Sequence, residues 1–106
     1  MILVRTEFQC KWGRVQEVVD GFKTMSERMN NQNVIKRSRI MTDLSGRFYT
    51  VVVESEVESI DAYFAMLHAA FAEPEFQAAQ AAMVDPPQQS GSRSFYTIEA
   101  TYEAAE

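Results

Sequence analysis

The chain has 106 residues, of which 46% are apolar and 24% are charged. This length and composition predict a single globular domain over residues 1–106 and exclude a fibrous protein, a wholly disordered protein and two ordinary domains. Ten basic and fifteen acidic residues give a net charge of −5, which argues against a general nucleic-acid-binding protein. A single cysteine, Cys10, excludes an internal disulfide and a cysteine-based zinc finger.

The sequence predicts a cytoplasmic protein that does not enter a membrane. The apolar run at the amino terminus is too short for a secretory signal. The longest charge-free apolar stretch, Ala62–Ala72, is far shorter than the ~18 residues of a membrane span. Charge is unevenly distributed, since residues 1–53 carry nine basic and five acidic groups, whereas residues 54–106 carry ten acidic groups and one basic residue, Arg93.

The first half of the chain predicts three strands and one helix. A period of two over Ile2–Cys10 predicts the first strand, with its mainly apolar face formed by Ile2, Val4, Thr6, Phe8 and Cys10. Apolar residues then recur every three or four positions, which predicts an amphipathic helix over Lys11–Asn30. Two more strands are predicted at Val34–Thr42 and Phe48–Glu54, with Gly46 in the hairpin loop between them.

The second half predicts two helices and a last strand. Ser59 is placed to cap the second helix, and Pro74 to begin a shorter one over residues 74–83. Asp85–Ser92 has the composition of a loop, and Arg93–Tyr102 alternates like a strand. The order βαββαβ predicts an α+β, ferredoxin-like fold with a four-stranded antiparallel sheet. Right-handed crossovers place the first and third strands in its centre and the second and fourth at its edges.

The sheet pattern predicts a homodimer. The helices of such a domain cover one sheet face, yet consecutive residues in the third strand (Val51, Val52) and in the fourth (Phe95, Tyr96) are apolar or aromatic. A sheet that is apolar on both faces needs a cover on each face, and a second copy packed sheet against sheet supplies it. The alternative is a monomer whose Thr and Tyr side chains tolerate a half-wet surface.

Two segments, Ala72–Phe76 after the second helix and Gly91–Tyr96 at the last strand, resemble those of the dimeric α/β-barrel superfamily. This superfamily includes the antibiotic-biosynthesis monooxygenases, haem-degrading monooxygenases, NIPSNAP-like proteins and stress-responsive A/B-barrel proteins. The element order extends the resemblance over nearly the whole chain. The resemblance implies a dimer whose two sheets close into a barrel, with a small-molecule pocket between sheet and helices in each subunit.

His68 and Tyr63 are the candidate catalytic residues. Both flank the apolar stripe of the second helix, where a side chain can point into a groove between helix and sheet. Histidine side chains titrate near neutral pH, which suits proton transfer. The alternative for His68 is a boundary position with one ring edge in water. The sequence has no phosphate loop, nucleophile elbow or metal-spaced His/Cys cluster, so we expect no metal and no cofactor.

Arg5 is a candidate for binding the acidic group of a ligand. It lies in a predicted central strand, where an unpaired charge is costly. Its partner is therefore Glu7, Glu99 or an anionic ligand.

Three aromatic residues are further candidates for binding a small aromatic or anionic ligand. Trp12 is placed to form one wall of a pocket for a flat molecule. Tyr49 and Tyr96 are placed to donate hydroxyl hydrogen bonds into a pocket or across a dimer. For all three, packing in the core or at an interface is the alternative.

The chain also departs from the superfamily at its best-known positions. Cofactor-free members resemble one another in an Asn–Trp pair, and haem-degrading members similarly add a helix histidine that ligates iron. Arg5 and Thr6 stand near the Asn position, Phe64 near the Trp position and Gln80 near the histidine position. These differences argue against haem degradation.

Two hypotheses for function follow. The resemblance implies a cofactor-independent monooxygenase that acts on a flat aromatic molecule; the alternative is a non-catalytic ligand-binding or stress-responsive dimer. An open pocket lined by His68 and Arg5 favours the enzyme, whereas a pocket filled by Phe64, Phe71 and Phe76 contradicts it.

Overall fold

The computed structural model describes residues 1–30, 33–83 and 85–104. These ranges contain the elements β1 (Ile2–Cys10), α1 (Val15–Asn30), β2 (Ile35–Thr42), β3 (Thr50–Val57), α2 (Ile60–Phe71), α3 (Pro74–Ala82) and β4 (Gln88–Thr97). The strands form one antiparallel sheet in the order β2-β3-β1-β4. The predicted α+β, ferredoxin-like fold is therefore confirmed, with β1 and β3 in the centre of the sheet.

Two elements begin later than predicted because the backbone before them is left-handed. Gly13 has a φ of 75°, so α1 starts at Val15 rather than at Lys11. Tyr49 has a φ of 61°, which ends a turn and delays β3 until Thr50. As a consequence, neither Trp12 nor Tyr49 lies in the regular element in which the sequence placed it.

β4 begins five residues earlier than predicted, within a segment with the composition of a loop. It pairs with β1 from Gln88, opposite Cys10, to Thr97, opposite Ile2. The pairing with a central strand overrides the weak strand preference of its Gly and Ser residues. The strand ends at Thr97, opposite Ile2, and one more backbone hydrogen bond follows, in which the Ile98 N–H donates to the Met1 carbonyl at 3.0 Å.

The two later helices begin where the sequence predicted. The Ser59 side chain accepts a hydrogen bond of 3.1 Å from the backbone N–H of Ala62, which caps α2. Pro74 occupies the first turn of α3, where its missing N–H costs no hydrogen bond. None of the described helices is both long and apolar enough to cross a membrane.

The core lies between the helices and one face of the sheet. One buried cluster joins α1 and α2 to the sheet and consists of Val4, Met29, Val57, Tyr63, Met66 and Leu67. A second cluster joins the first half of α1 to the sheet and consists of Cys10, Val18, Val19 and Val51. Cys10 is 2% exposed and burial raises the pKa of its thiol, consistent with the packing role expected from the sequence.

The opposite face of the sheet, here called the open face, carries ion pairs. Glu54 on β3 pairs with Arg39 on β2 at 2.5 Å and with Arg5 on β1 at 3.7 Å. Arg5 also pairs with Glu7 at 3.1 Å. The open face is therefore mixed rather than apolar throughout: Val52 lies between the apolar Met41 of β2 and the charged Glu7 of β1.

Candidate ligand site

A cavity of about 440 Å³ lies between α1 and α3. The end of α2 and the start of β4 close its remaining sides through Ala70, Pro87 and Gln88. Its volume falls within the range of small-molecule pockets in proteins, roughly 300–1,000 Å³. It is the candidate functional site.

The walls of the cavity are mostly apolar. On α1 the lining residues recur every three or four positions, and they include Val18, Phe22, Met25 and Met29. α3 contributes Phe76, and Met83 follows at its end. The apolar residues of α1 cover a wide face of the helix, so that one side of this face packs on the sheet and the other side lines the cavity. Methionine side chains adapt to ligands of different shape.

Gly21 leaves space in the α1 wall. A Cβ built on Gly21 would meet no atom within 4 Å, although the residue lines the cavity. A glycine within a helix lowers its stability relative to alanine, by roughly 0.5–1 kcal/mol. The missing side chain therefore widens the cavity at a cost to the helix.

The rim of the cavity is polar. Arg28 on α1 forms an ion pair of 3.2 Å with Glu75 on α3, which links the two helices across the opening. Glu17 also lines the cavity, and hydrogen bonds from Arg14 hold the pKa of its carboxyl below the ordinary value. The Gln80 side chain belongs to the same lining and offers an uncharged amide.

α3 is held by few contacts. It buries no residue, its start has no side-chain cap, and Phe76 stacks on Phe71 of α2 with ring centroids 4.9 Å apart. Phe76 thereby forms one wall of the cavity without filling it. Phe64 packs on Phe95 instead, with centroids 5.7 Å apart.

Tyr63 is the one sequence-predicted site residue in the core, with 6% of its surface exposed. The Arg93 guanidinium lies 5.6 Å from its ring centroid, and Arg93 Nε donates to Thr6 Oγ1 at 3.2 Å. Burial raises the pKa of the Tyr63 hydroxyl, while the Arg93 charge and the Thr6 hydroxyl act in the opposite direction. These three side chains form a polar cluster on the helix side of the sheet.

The other five sequence-predicted residues lie apart from one another. His68 is exposed on α2. Arg5 lies on the open face. Of the partners expected for it, which were Glu7, Glu99 or an anionic ligand, the structure shows Glu7, and Glu54 is a second partner.

The three aromatic candidates also lie in separate places. Trp12 is 80% exposed in the turn before α1. Tyr49 packs partly on the cluster around Cys10, and its ring centroid lies 6.0 Å from that of Phe48. Tyr96 is half exposed on the open face, opposite Leu3 of β1.

None of the six sequence-predicted residues is among the described residues that line the cavity. Sequence reasoning assigned Phe22, Met25 and Met29 to a helix stripe, and nothing in their spacing separates a core wall from a cavity wall. Gln80 had a signal, because the resemblance placed it near a ligand-binding position. Among the described residues, no group of three or more His, Cys, Asp or Glu side chains is arranged to hold a metal ion.

Comparison with known proteins identifies the fold. No family model matches the chain. No curated protein matches it by sequence either. Similarity is found among solved structures, and it extends over nearly the whole chain.

Three of these structures illustrate the similarity. A NIPSNAP domain protein from Burkholderia xenovorans is 20% identical, with a TM-score of 0.75 over 98% of this chain and 100% of that one. A variant of MhuD with two manganese protoporphyrin IX molecules per active site is 13% identical, with a TM-score of 0.77 over 98% and 100%. A Deinococcus radiodurans protein, provisionally named an antibiotic biosynthesis monooxygenase, is 10% identical, with a TM-score of 0.70 over 100% of both chains. The expected fold is thus confirmed, and this chain shares it with NIPSNAP domain and antibiotic biosynthesis monooxygenase-like proteins.

Proposed function

We propose that this protein binds a small, flat and largely apolar molecule in the cavity between α1 and α3 and works as a homodimer. The observation that carries the proposal is the cavity itself, about 440 Å³ with walls of Phe and Met side chains. Ligand pockets are mostly apolar with a few polar groups that fix orientation. Thr24 and Gln80 supply such polar groups here.

The chemistry of the lining favours binding over catalysis. Arg28 and Glu75 neutralise each other in an ion pair, and Glu17 is engaged by Arg14. Apart from the carboxylate of Glu73, the remaining polar side chains are hydroxyl and amide groups, which donate and accept hydrogen bonds without titrating near neutral pH. The non-catalytic ligand-binding hypothesis is therefore the one that the cavity supports best.

A flat ligand is supported by one of the structural neighbours. The MhuD variant holds manganese protoporphyrin IX, a flat and largely apolar molecule, in its active site. At 13% identity this likeness concerns the fold, so porphyrin enters here only as a probe of size and shape. A metal-free porphyrin and a smaller flat molecule, such as a naphthoquinone, test different parts of the cavity.

Substitution of Gly21 tests the proposal. Gly21→Trp fills the cavity from the α1 wall, whereas Lys23→Trp adds the same side chain at an exposed position of the same helix outside the described lining. We expect wild type and Lys23→Trp to bind a probe equally in equilibrium dialysis, and Gly21→Trp to bind it at least about tenfold more weakly. Equal binding by Gly21→Trp and wild type, or no binding of either probe by wild type, would contradict the proposal.

Cofactor-independent monooxygenation is the second candidate function. It is supported by the likeness to the Deinococcus radiodurans protein and by the buried hydroxyl of Tyr63 beside Arg93. In this proposal Tyr63 acts on the substrate. His68, Arg5, Trp12, Tyr49 and Tyr96, the other sequence-predicted candidates, lie apart from it, and Arg5 and Tyr96 are on the opposite face of the sheet. It predicts that wild type consumes oxygen with hydroquinones faster than the uncatalysed rate, and that Tyr63→Phe does not.

A further inference from the structure

Arg93 has no acidic partner among the residues that the structure describes. Five other arginines form ion pairs with carboxylates, namely Arg5, Arg14, Arg28, Arg37 and Arg39. No carboxylate of the described residues lies within 4.0 Å of the Arg93 nitrogens, although residues 54–106 carry ten acidic groups and no other basic one. The positive charge on the helix side of β4 is therefore available to an external anion.

The guanidinium of Arg93 is held in one orientation. Its Nε donates to Thr6 Oγ1 at 3.2 Å, and its central carbon lies 5.6 Å from the Tyr63 ring centroid. Both anchors are rigid, because Thr6 is 7% exposed and Tyr63 is 6% exposed. The two terminal nitrogens keep their N–H donors, while Arg93 itself remains exposed to solvent. A fixed guanidinium with free donors matches the planar geometry of a carboxylate.

An aromatic surface lies beside this cation. Gly91 is two residues before Arg93 on the same side of β4, about 7 Å away along the strand. The Phe8 ring lies over Gly91, since a Cβ built there would be 2.8 Å from Phe8 Cδ1. Phe8 also packs against Phe22, with ring centroids 5.2 Å apart. A ligand that places its charge on Arg93 therefore meets aromatic side chains next to it.

We propose that Arg93 is the anchor of a binding site for small aromatic carboxylates. The carboxylate accepts two hydrogen bonds from the terminal nitrogens of Arg93, and the ring of the ligand lies toward Phe8. The single positive charge matches a monoanion, so a carboxylate fits this site better than a phosphate dianion does. The site shares Phe22 with the described lining of the α1–α3 cavity, but Arg93, Thr6, Tyr63 and Phe8 lie outside that lining, so binding at Arg93 can be tested separately from the proposed function.

Benzoate is the probe, with benzyl alcohol as its uncharged counterpart. Binding to wild type and to every variant is followed through the broadening of the benzoate proton signals in nuclear magnetic resonance. In wild type the Arg93 Nε–H signal also reports directly on the contacts of Arg93. Arg47→Gln is the matched control, because Arg47 is exposed, forms no ion pair with the described residues and loses the same charge. Arg93→Lys serves as a second variant that keeps the charge and loses the planar fork.

We expect benzoate to shift the Arg93 Nε–H signal saturably and benzyl alcohol to leave it unchanged. Arg93→Gln should weaken benzoate binding by roughly tenfold or more, because it removes charged hydrogen bonds. Arg93→Lys should fall between Arg93→Gln and wild type, and Arg47→Gln should match wild type. The proposal is overturned if wild type gives no saturable shift, if Arg93→Gln or Arg93→Lys binds like wild type, or if Arg47→Gln weakens binding equally.

Discussion

At the scale of the residue, two glycines with the same chemistry have different roles. Gly91 lies under the Phe8 ring, with Cδ1 and Cε1 at 2.8 and 2.9 Å from the position of a Cβ. Gly21 has no atom within 4 Å of that position. The first glycine is needed for close packing at the sheet edge, and the second leaves room in a helix wall.

Alanine at these two positions should therefore have opposite effects. Gly91→Ala forces the Phe8 ring to move and should lower the free energy of unfolding by about 1–3 kcal/mol. Gly21→Ala meets no neighbour and should raise it by about 0.5–1 kcal/mol through helix propensity. Urea denaturation of both variants against wild type measures the two changes. A stabilising Gly91→Ala would show that the Phe8 ring does not need its present position.

At this scale, the sequence predicted a residue's environment correctly where that environment depends on the residue's position in its own strand or helix. Cys10 was expected to be buried by alternation along β1, and it is. Arg5 was expected to need a partner, and Glu7 was one of those named. The role of Glu54 depends on the pairing of β1 with β3, a contact between residues far apart in the chain that periodicity does not encode.

At the scale of the element, the segment between α3 and β4 is tied to the start of α1 by charge. The Asp85 carboxylate binds the Lys11 ammonium and also accepts a hydrogen bond of 2.9 Å from Arg14. The backbone N–H of Lys11 donates to the Pro87 carbonyl at 2.8 Å. These contacts hold the segment that leads into β4 against the helix that forms one cavity wall.

This arrangement should make the segment sensitive to acid. Lys11, and then Arg14, hold the pKa of the Asp85 carboxyl below its ordinary value of 3.8. A carboxyl with a lowered folded pKa stabilises the fold above its ordinary pKa, and this contribution is lost as the pH falls through the lower folded value. We expect acidification below pH 3.8 to lower the denaturant concentration at the unfolding midpoint more for wild type than for Asp85→Asn. Denaturant unfolding curves at several pH values measure this difference.

Asp43→Asn is the control. It also removes a carboxylate from a turn, but Asp43 forms no ion pair with the described residues. If Asp85→Asn loses stability with acid as steeply as wild type does, the ion pairs of Asp85 do not contribute.

The elements themselves were predicted with different success. The order and the type of every main element followed from hydrophobic period, caps and Pro74, because these signals are local. β4 was placed too late because its first half, rich in Ser and Gly, becomes a strand only through pairing with β1. The resemblance implied a pocket between sheet and helices, but not its position, which depends on the spacing between α1 and α3.

At the scale of the whole molecule, the open face combines both signs of charge with apolar side chains. Arg5, Arg37 and Arg39 face Glu7, Glu54 and Glu56, and Val52 and Tyr96 lie on the same face. This balance removes net repulsion from a surface of a chain whose charge is −5. A second copy can therefore approach this face, which supports the proposed homodimer.

A single lysine on this face tests the dimer. Val52→Lys places an unmatched charge in the centre of the proposed interface, whereas Leu44→Lys makes the same charge change in the fully exposed turn between β2 and β3. We expect wild type and Leu44→Lys to sediment at twice 12.1 kDa, and Val52→Lys at 12.1 kDa. A wild-type monomer at micromolar concentration would contradict the homodimer, and a dimeric Val52→Lys would exclude this face as its interface.

The position of Glu54 on β3 affects the register in which β2 pairs with β3. β2 is an edge strand with a bulge near its start and exposed side chains over residues 36–39, so burial alone specifies its pairing weakly. A slip by one residue would turn Arg39 toward the core and leave Glu54 with one arginine instead of two. The carboxylate of Glu54 thus favours the observed register of β2 over one shifted by a single residue, in addition to what side-chain burial contributes.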